Sequence, residues 1–272
     1  MAIRTLLLSA SLVAGSGVRA AEWPTPALLA PATPAAAPAI AETSAGPVTL
    51  ATVLAAHDQA RGGRKAWNQL KTVRFTGTLK MGELAVPFTM DVARPGKLRM
   101  EMQVQGSVAL QVYDGKQGWT STPSLGQSWV QPVTGEDLRA LASQADIDGH
   151  LIDYAEKGYS ARFLGESRIG ETRVYGIALR HDESAAEETH FLDAGTFLPY
   201  KLEAQTQVQS QPVRTDVRFS DWRTIDGRTM PFAMVNVVTT ASGPVAQELT
   251  LTRVESNPRF PRDHFDPPKT GE

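Results

Sequence analysis

The chain has 272 residues, of which 42% are hydrophobic and 21% charged, with a formal net charge of −2 and no cysteine. This composition is typical of a globular protein with one large domain or two small ones. The lack of cysteine excludes disulfides and thiolate metal sites. The negative charge disfavours nucleic acid and anionic membranes as partners, because both attract basic patches.

The N-terminus predicts an exported protein. Arg4 precedes an apolar run from Leu6 to Val13, and small residues then lead to Ala20, a pattern typical of a secretory signal peptide over residues 1–20. A membrane span would need about twenty apolar residues, so an uncleaved anchor is the weaker alternative. Cleavage removes two arginines and changes the formal charge from −2 to −4. We expect a protein that is soluble in the periplasm.

The domain organisation follows from composition. Residues 21–46 are rich in alanine and proline, which predicts a disordered linker. A single domain should then span residues 47–268, and residues 269–272 form a tail. The domain should open with an amphipathic helix from Thr49, its N-cap, to Gln59. Arg61-Gly62-Gly63-Arg64 should end or break that helix, before a short turn that carries Trp67 and Leu70. A phosphate site at these glycines and cations is the weaker alternative, because the strand-loop-helix context of a phosphate loop is missing.

Strands dominate the rest of the chain. The stretch from Phe88 to Trp119 alternates apolar and polar residues, with turns at Pro95-Gly96 and Asp114-Gly115, as expected for strands with one buried face. A helix should start at Thr134 with a capping box to Asp137, and a second one should cover residues 146–154. Further strands are predicted at 73–81, 84–94, 129–133, 161–169, 172–180, 188–192, 199–207, 213–224, 228–239 and 245–254.

Short connections between successive strands favour an antiparallel meander, and twist accumulates in so long a sheet until it curls. We therefore predict a mainly β (α+β) fold, a curved antiparallel half-barrel of about 10–11 strands with a helical lid over the concave face.

Arg94 breaks the alternation of its strand. It shares the parity of Phe88, Met90 and Val92, so a continuing strand would point the guanidinium toward the apolar face. An unpaired arginine there would cost several kcal/mol, which predicts a hydrogen-bonding partner across that face. The alternative is that the strand ends at Ala93 and Arg94 extends into water.

Catalytic and metal-binding patterns are weak. The sequence has no HExxH, GxSxG, Walker or GxGxxG motif in the predicted mature chain. Histidines and carboxylates between His181 and His190 are compatible with a divalent metal, but a charged, solvated hairpin tip is the simpler explanation. His57, His150 and His264 have no partner pattern. We expect no enzyme, no cofactor and no metal.

Apolar residues give a stronger signal, because flexible methionines and aromatic residues recur in the predicted strands. A packed core explains each residue singly, whereas a half-barrel under a lid could enclose a cavity for acyl chains. The candidate lipid-binding residues are Phe75, Leu79, Phe88, Met90, Leu98, Met100, Met102, Leu110 and Trp119.

Three short motifs occur in order: Arg94-Pro95, Asp114-Gly115-Lys116 before Trp119, and Phe265-Asp-Pro-Pro. Together they resemble the LolA/LolB family of lipoprotein carriers, over much of residues 48–268. The resemblance implies an unclosed barrel whose lid is steadied by the arginine of the Arg-Pro pair, here Arg94 as lid gate. This chain differs from the carriers in its extra strands after residue 160 and its proline-rich linker.

The predicted function is a periplasmic carrier, a lipid-binding chaperone that holds lipid or lipoprotein acyl chains, with a possible role in lipoprotein sorting to the outer membrane. Its partners would be those acyl chains and a membrane-bound donor or acceptor protein, and the chain would be a monomer. The alternative is a structural or interaction domain with a packed β core and no ligand. An enzyme that uses the His181–His190 cluster ranks third.

Overall fold

The computed structural model describes residues 48–104, 106–124, 127–182, 187–208 and 211–268, so the predicted signal peptide and linker lie outside the described residues. Within that part, the helices are α1 (Leu50–Ala60), α2 (Gly63–Asn68) and α3 (Gly135–Gln144). The strands are β1 (Thr72–Met81), β2 (Leu84–Ala93), β3 (Lys97–Val104), β4 (Ser107–Tyr113), β5 (Gly118–Ser124), β6 (Gln127–Val133), β7 (Tyr159–Ile169), β8 (Thr172–His181), β9 (Glu187–Asp193), β10 (Pro199–Val208), β11 (Gln211–Ile225), β12 (Arg228–Thr240) and β13 (Gly243–Ser256).

These strands form one open antiparallel sheet in the order β6-β5-β4-β3-β2-β1-β13-β12-β11-β10-β9-β8-β7. The predicted curved half-barrel with a small helical part is confirmed, although the described sheet has 13 strands instead of about 10–11. A strand between Trp119 and Trp129 was not predicted, because that run is mostly threonine, serine, glutamine and proline without apolar alternation.

The pairing of β1 with β13 is not that of a simple meander. It joins two meanders, β1–β6 and β7–β13, through the first and last strands, and leaves β6 and β7 at opposite edges of the sheet. The segment between them therefore has to travel from one edge to the other. That segment consists of α3 and a run of turns, residues 145–158. Together with α1 and α2, it forms what we call the lid.

The lid is only partly as predicted. Thr49 caps α1 as expected, in a capping box with Thr52. Thr134 is the N-cap of α3, but its side chain makes no capping hydrogen bond, so the predicted capping box with Asp137 is wrong. The predicted helix over 146–154 is also wrong, because Gly149 (φ 79°) and Asp153 (φ 52°) have left-handed backbone that interrupts helical geometry.

The lid packs on one face of the sheet, here called the inner face. Apolar cluster 1 joins residues of β1–β4 and β10–β13 to Trp67 of α2, to Leu70 just after it and to Leu141 of α3. Apolar cluster 2 joins Val53 of α1 and Leu151 to residues of β8 and β9. No helix among the described residues has the length and apolar character required to span a bilayer.

Candidate functional site

Arg94 directly follows β2 and is bound to the lid. Its Nη1 and Nη2 donate to the two carboxylate oxygens of Asp148 at 2.7 and 2.6 Å. Its Nε donates to the carbonyl of Leu70 at 2.9 Å, and Nη2 also reaches the carbonyl of Trp67 at 3.3 Å. The partner that strand parity demanded is therefore present, whereas the role of Arg94 as a gate stays a prediction.

Asp148 lies at the centre of the lid's polar contacts. Burial alone would raise its pKa, but the hydrogen bonds and charge of Arg94 outweigh burial and hold the pKa below its usual range. The same hydrogen bonds raise the pKa of Arg94. Arg61 donates from Nη1 to the backbone carbonyl of Asp148 at 2.6 Å. The nearby Asp146 carboxylate is bound by Lys157 at 2.7 Å.

Most of the predicted lipid-binding residues lie together on the inner face. The strand register pairs Phe75 with Met90, Met90 with Met100 and Phe88 with Met102, so that their side chains share one face. Seven predicted residues belong to apolar cluster 1, each at most 6% exposed: Phe75, Leu79, Phe88, Met90, Leu98, Met100 and Met102.

Leu110 and Trp119 lie on the other face. Leu110 pairs with Glu101, and Trp119 pairs with Val112, which pairs with Arg99. The buried Met100 and Met102 lie on either side of Glu101 in β3 and therefore point to the opposite face of the sheet. Leu110 and Trp119 thus lie on the face opposite the other seven residues. Leu110 and Trp119 occupy an even and an odd position, yet they lie on the same face, because the alternation starts anew after the Asp114-Gly115 turn.

The interior is packed in this structure. The residues of apolar cluster 1 fill the space between sheet and lid. A cavity of about 30 Å³ lies beside it, at the contact of α1, residues 148–151 and strands β9–β11. Leu151 of cluster 2 and Phe219 of cluster 1 both line this cavity, together with His57, Arg61, His150 and His190. It has room for about two waters or one small polar group, not for an acyl chain.

The three histidines that lacked a sequence pattern all have partners, which corrects the expectation that they stand alone. His57 donates from Nδ1 to the carbonyl of Phe197 at 2.9 Å. His150 lies 2.9 Å from a Glu188 oxygen through Nδ1, and His264 lies 2.7 Å from Asp91 through Nε2. Each partner is at least 38 residues away in sequence, so no local motif could have revealed it.

Ser143, His150 and Glu188 form a hydrogen-bonded chain in the order found in serine hydrolases. The Ser143 Oγ lies 2.8 Å from His150 Nε2, and His190 Nε2 contacts the same Glu188 oxygen at 3.2 Å. Acyl transfer also needs N–H donors for a developing oxyanion. The amides of Ala145 and Asp146, just after Ser143, donate instead to carbonyls of the same helical end. The array therefore ties α3 and the turn segment to β9.

The metal hypothesis at His181–His190 finds no support in the described part of the chain. No group of three or more histidine, aspartate or glutamate side chains there could hold a metal ion. Glu183 lies outside the described residues.

The C-terminal segment packs on the outer face. Buried Asp91 receives Arg74 Nε and Nη2 at 2.7 and 2.8 Å and His264 Nε2 at 2.7 Å. Burial would raise the pKa of Asp91, but the hydrogen bonds from Arg74 and His264 lower it overall. Phe265 of the Phe-Asp-Pro-Pro motif is buried beside His264. The motif therefore closes the domain on the face opposite the lid.

Comparison with solved structures identifies the architecture. A LolA superfamily protein from Nitrosomonas europaea superposes with a TM-score of 0.53 at 16% identity, covering 80% of this chain and 98% of that one. A DUF1329 family protein from Desulfovibrio piger gives 0.56 at 12% identity, over 80% and 97% of the two chains. The chain has the LolA-like fold. The resemblance expected from its motifs is thus confirmed at the level of the fold.

A third similar structure, from Vibrio parahaemolyticus, is described as an outer membrane lipoprotein-sorting protein domain. It superposes with a TM-score of 0.53 at 12% identity, covering 80% of this chain and 97% of its own. No family model and no curated protein sequence matches the chain.

Proposed function

We propose that this protein is a periplasmic carrier that opens its lid and holds lipid or lipoprotein acyl chains against the inner face. The observation that carries the proposal is the pairing of a continuous apolar inner face with a lid that is fastened at Arg94 by polar contacts. Similarity to a lipoprotein-sorting domain supports this reading through a shared fold. A role in sorting, with a membrane-bound donor or acceptor, belongs to the same proposal.

The energetics allow such exchange. A buried CH₂ group contributes about 0.8 kcal/mol, so a sixteen-carbon chain could gain about 13 kcal/mol gross on leaving water. Separating the lid from cluster 1 would expose apolar side chains, which the acyl chain would cover again. The polar contacts of Arg94 can be remade with water, so they are suited to a contact that opens and closes.

A second candidate function rests on the packing of cluster 1. All seven inner-face candidates are buried between sheet and lid, as expected for a structural or interaction domain with a permanently filled core. The two candidates differ in whether the lid opens in solution. The carrier proposal requires it, and the packed-domain alternative forbids it.

Photo-cross-linking from the two faces would distinguish them. Phe88→p-azidophenylalanine places the photoreactive group on the inner face, and Trp119→p-azidophenylalanine is the matched aromatic control on the other face. Each variant would be exported to the periplasm of a Gram-negative host, irradiated and weighed by intact-mass spectrometry. We expect lipid adducts from position 88 and not from position 119.

Equal adducts at both positions, or adducts at 119 alone, would contradict the carrier proposal. Because the azide adds bulk at a buried site, the unmodified chain would also be titrated with cis-parinaric acid, a fluorescent eighteen-carbon fatty acid. Saturable binding of this probe supports the carrier. Its absence, together with a lack of adducts at 88, favours the packed-domain alternative.

A further inference from the structure

Arg61 is a buried cation that no carboxylate of the described residues contacts directly. It follows α1, is 3% exposed and stacks on Trp67, with its guanidinium carbon 4.0 Å from the ring centre. Nη1 donates to the backbone carbonyl of Asp148, whereas Nη2 has no hydrogen-bond partner among the described residues. A buried charged group with an unsatisfied donor is costly, and a bound anion would complete the hydrogen bonding of Nη2.

The surrounding carboxylates are engaged elsewhere. Asp148 binds Arg94 through both of its oxygens, and Asp146 binds Lys157. Asp58 lies 3.9 Å from Arg64, which also binds Asp153. In the described part of the lid, the nearby carboxylates thus form ion pairs with other cations, and Arg61 has none.

His57, which lines the cavity, does not take the place of Arg61 as a cation. Burial, followed by the charge of Arg61, lowers the pKa of His57 to about 3, so this imidazole is neutral at neutral pH. Burial also lowers the pKa of Arg61, to about 10, which leaves the guanidinium charged under the same conditions. Arg61 therefore offers an entering anion a positive charge that persists at neutral pH, whereas His57 does not.

The apolar surroundings specify what kind of anion fits. Arg61 and Phe219 line the same cavity, and Phe219 also belongs to apolar cluster 1. Leu151, which belongs to apolar cluster 2, is a further apolar residue of the lining. An anionic group at Arg61 would thus be continuous with the inner face that we propose for acyl chains. The cavity of about 30 Å³ matches a small planar head group better than a large one.

We propose that Arg61 binds the carboxylate of a free long-chain fatty acid whose chain lies along apolar cluster 1. This inference rests on the proposed carrier function and adds the class of ligand. A guanidinium fits a carboxylate because both are planar and the hydrogen bond between them is charge-assisted. Arg94 then fastens the lid, and Arg61 selects the head group.

The test compares two probes that differ only in the head group, cis-parinaric acid and its methyl ester, at pH 8. The wild-type chain should bind the acid at least tenfold more tightly than the ester. Arg61→Gln should bring this ratio close to one without weakening the ester, and Arg61→Lys should restore part of it. Arg64→Gln is the matched control, because Arg64 belongs to the same segment but already binds Asp153, and it should keep the wild-type ratio.

Equal binding of acid and ester by the wild-type chain would overturn the carboxylate site and leave the carrier proposal intact. An unchanged ratio in Arg61→Gln would also overturn it. Failure of both probes to bind would instead count against the carrier proposal itself. Hexadecyl phosphate provides a further arm, and tighter competition by this phosphate than by palmitate would contradict the assignment to a carboxylate.

Discussion

Arg94 and Arg61 both bind Asp148 of the lid, but they bind different parts of it. Arg94 binds the side chain of Asp148 through two hydrogen bonds, whereas Arg61 binds only its backbone carbonyl. The backbone of Arg61 is fixed independently of its charge, because its carbonyl accepts from Thr229 N–H and from Trp67 Nε1, both at 2.9 Å. One arginine thus fastens two parts of the molecule, and the other is held in place with an unused donor.

The largest expected loss of stability comes from a substitution next to Arg61, at Gly62, where the backbone packs closely against Gly227. Gly62 has φ 106°, and a Cβ there would lie 1.9 Å from the carbonyl oxygen of Gly227. Gly62→Ala should therefore lower the free energy of unfolding by about 3 kcal/mol or more, measured by chemical denaturation. The matched control is Gly63→Ala, where φ is 78° but the nearest atom is 3.7 Å away. It should cost about 1 kcal/mol, and equal costs would contradict this account of Gly62.

The next effect concerns the fastening by Arg94. A double-mutant cycle with Arg94→Met and Asp148→Asn should give a coupling energy of about 2 kcal/mol, because either single change leaves the other, partly buried charge without its opposite charge. Urea denaturation of the four proteins measures it. A coupling energy near zero would mean that the ion pair contributes nothing to closure. Arg94→Met should also speed release of bound cis-parinaric acid.

The pH dependence of stability tests the neutral state of His57 beside Arg61. Because burial lowers its pKa to about 3, the unfolded chain binds a proton between pH 6.5 and 3 that the folded chain does not. Stability should therefore fall as the pH drops below 6.5, by about 2 kcal/mol at pH 5 from this residue alone. His57→Asn, which keeps a donor for the Phe197 carbonyl, should remove that part of the slope. The same slope in both proteins would contradict the assignment.

The smallest expected change in stability is that of Arg61→Met, tested in a double-mutant cycle with Asp148→Asn like the cycle for Arg94. Arg61→Met removes a stacked side chain and one hydrogen bond but also an unneutralised buried charge. Its net effect on the free energy of unfolding should be within about 1 kcal/mol. Its coupling to Asp148→Asn should be below about 0.5 kcal/mol, since only the backbone of Asp148 is contacted. A coupling as large as that of Arg94 would erase the distinction between the two arginines.

The features that could be predicted from the sequence are those that depend on local periodicity. The parity of Phe88, Met90 and Arg94 predicted both the inner face and the need for a partner of the arginine. It could not name Asp148, which lies 54 residues away and in turns instead of the expected helix. In the sequence, Arg61 is indistinguishable from an ordinary helix-end residue. Its burial depends on contacts with Trp67 and with Asp148 of the lid, which only the fold brings together.

The misplacement of Leu110 and Trp119 has a different cause. Both residues are apolar and lie near turns, where the alternation has to be counted anew on each side. Two apolar faces of one sheet look alike in a sequence, because the outer face here is also covered, by the segment that carries His264 and Phe265. Only the strand register separates the two faces.

Native mass spectrometry of the protein, isolated from the periplasm without detergent or organic solvent, tests the central claim most directly. We expect an additional mass of one acyl-chain amphiphile, which disappears after solvent extraction and returns on incubation with palmitate. A chain that carries no such mass and takes up none after incubation would contradict the claim that the lid opens to hold an acyl chain.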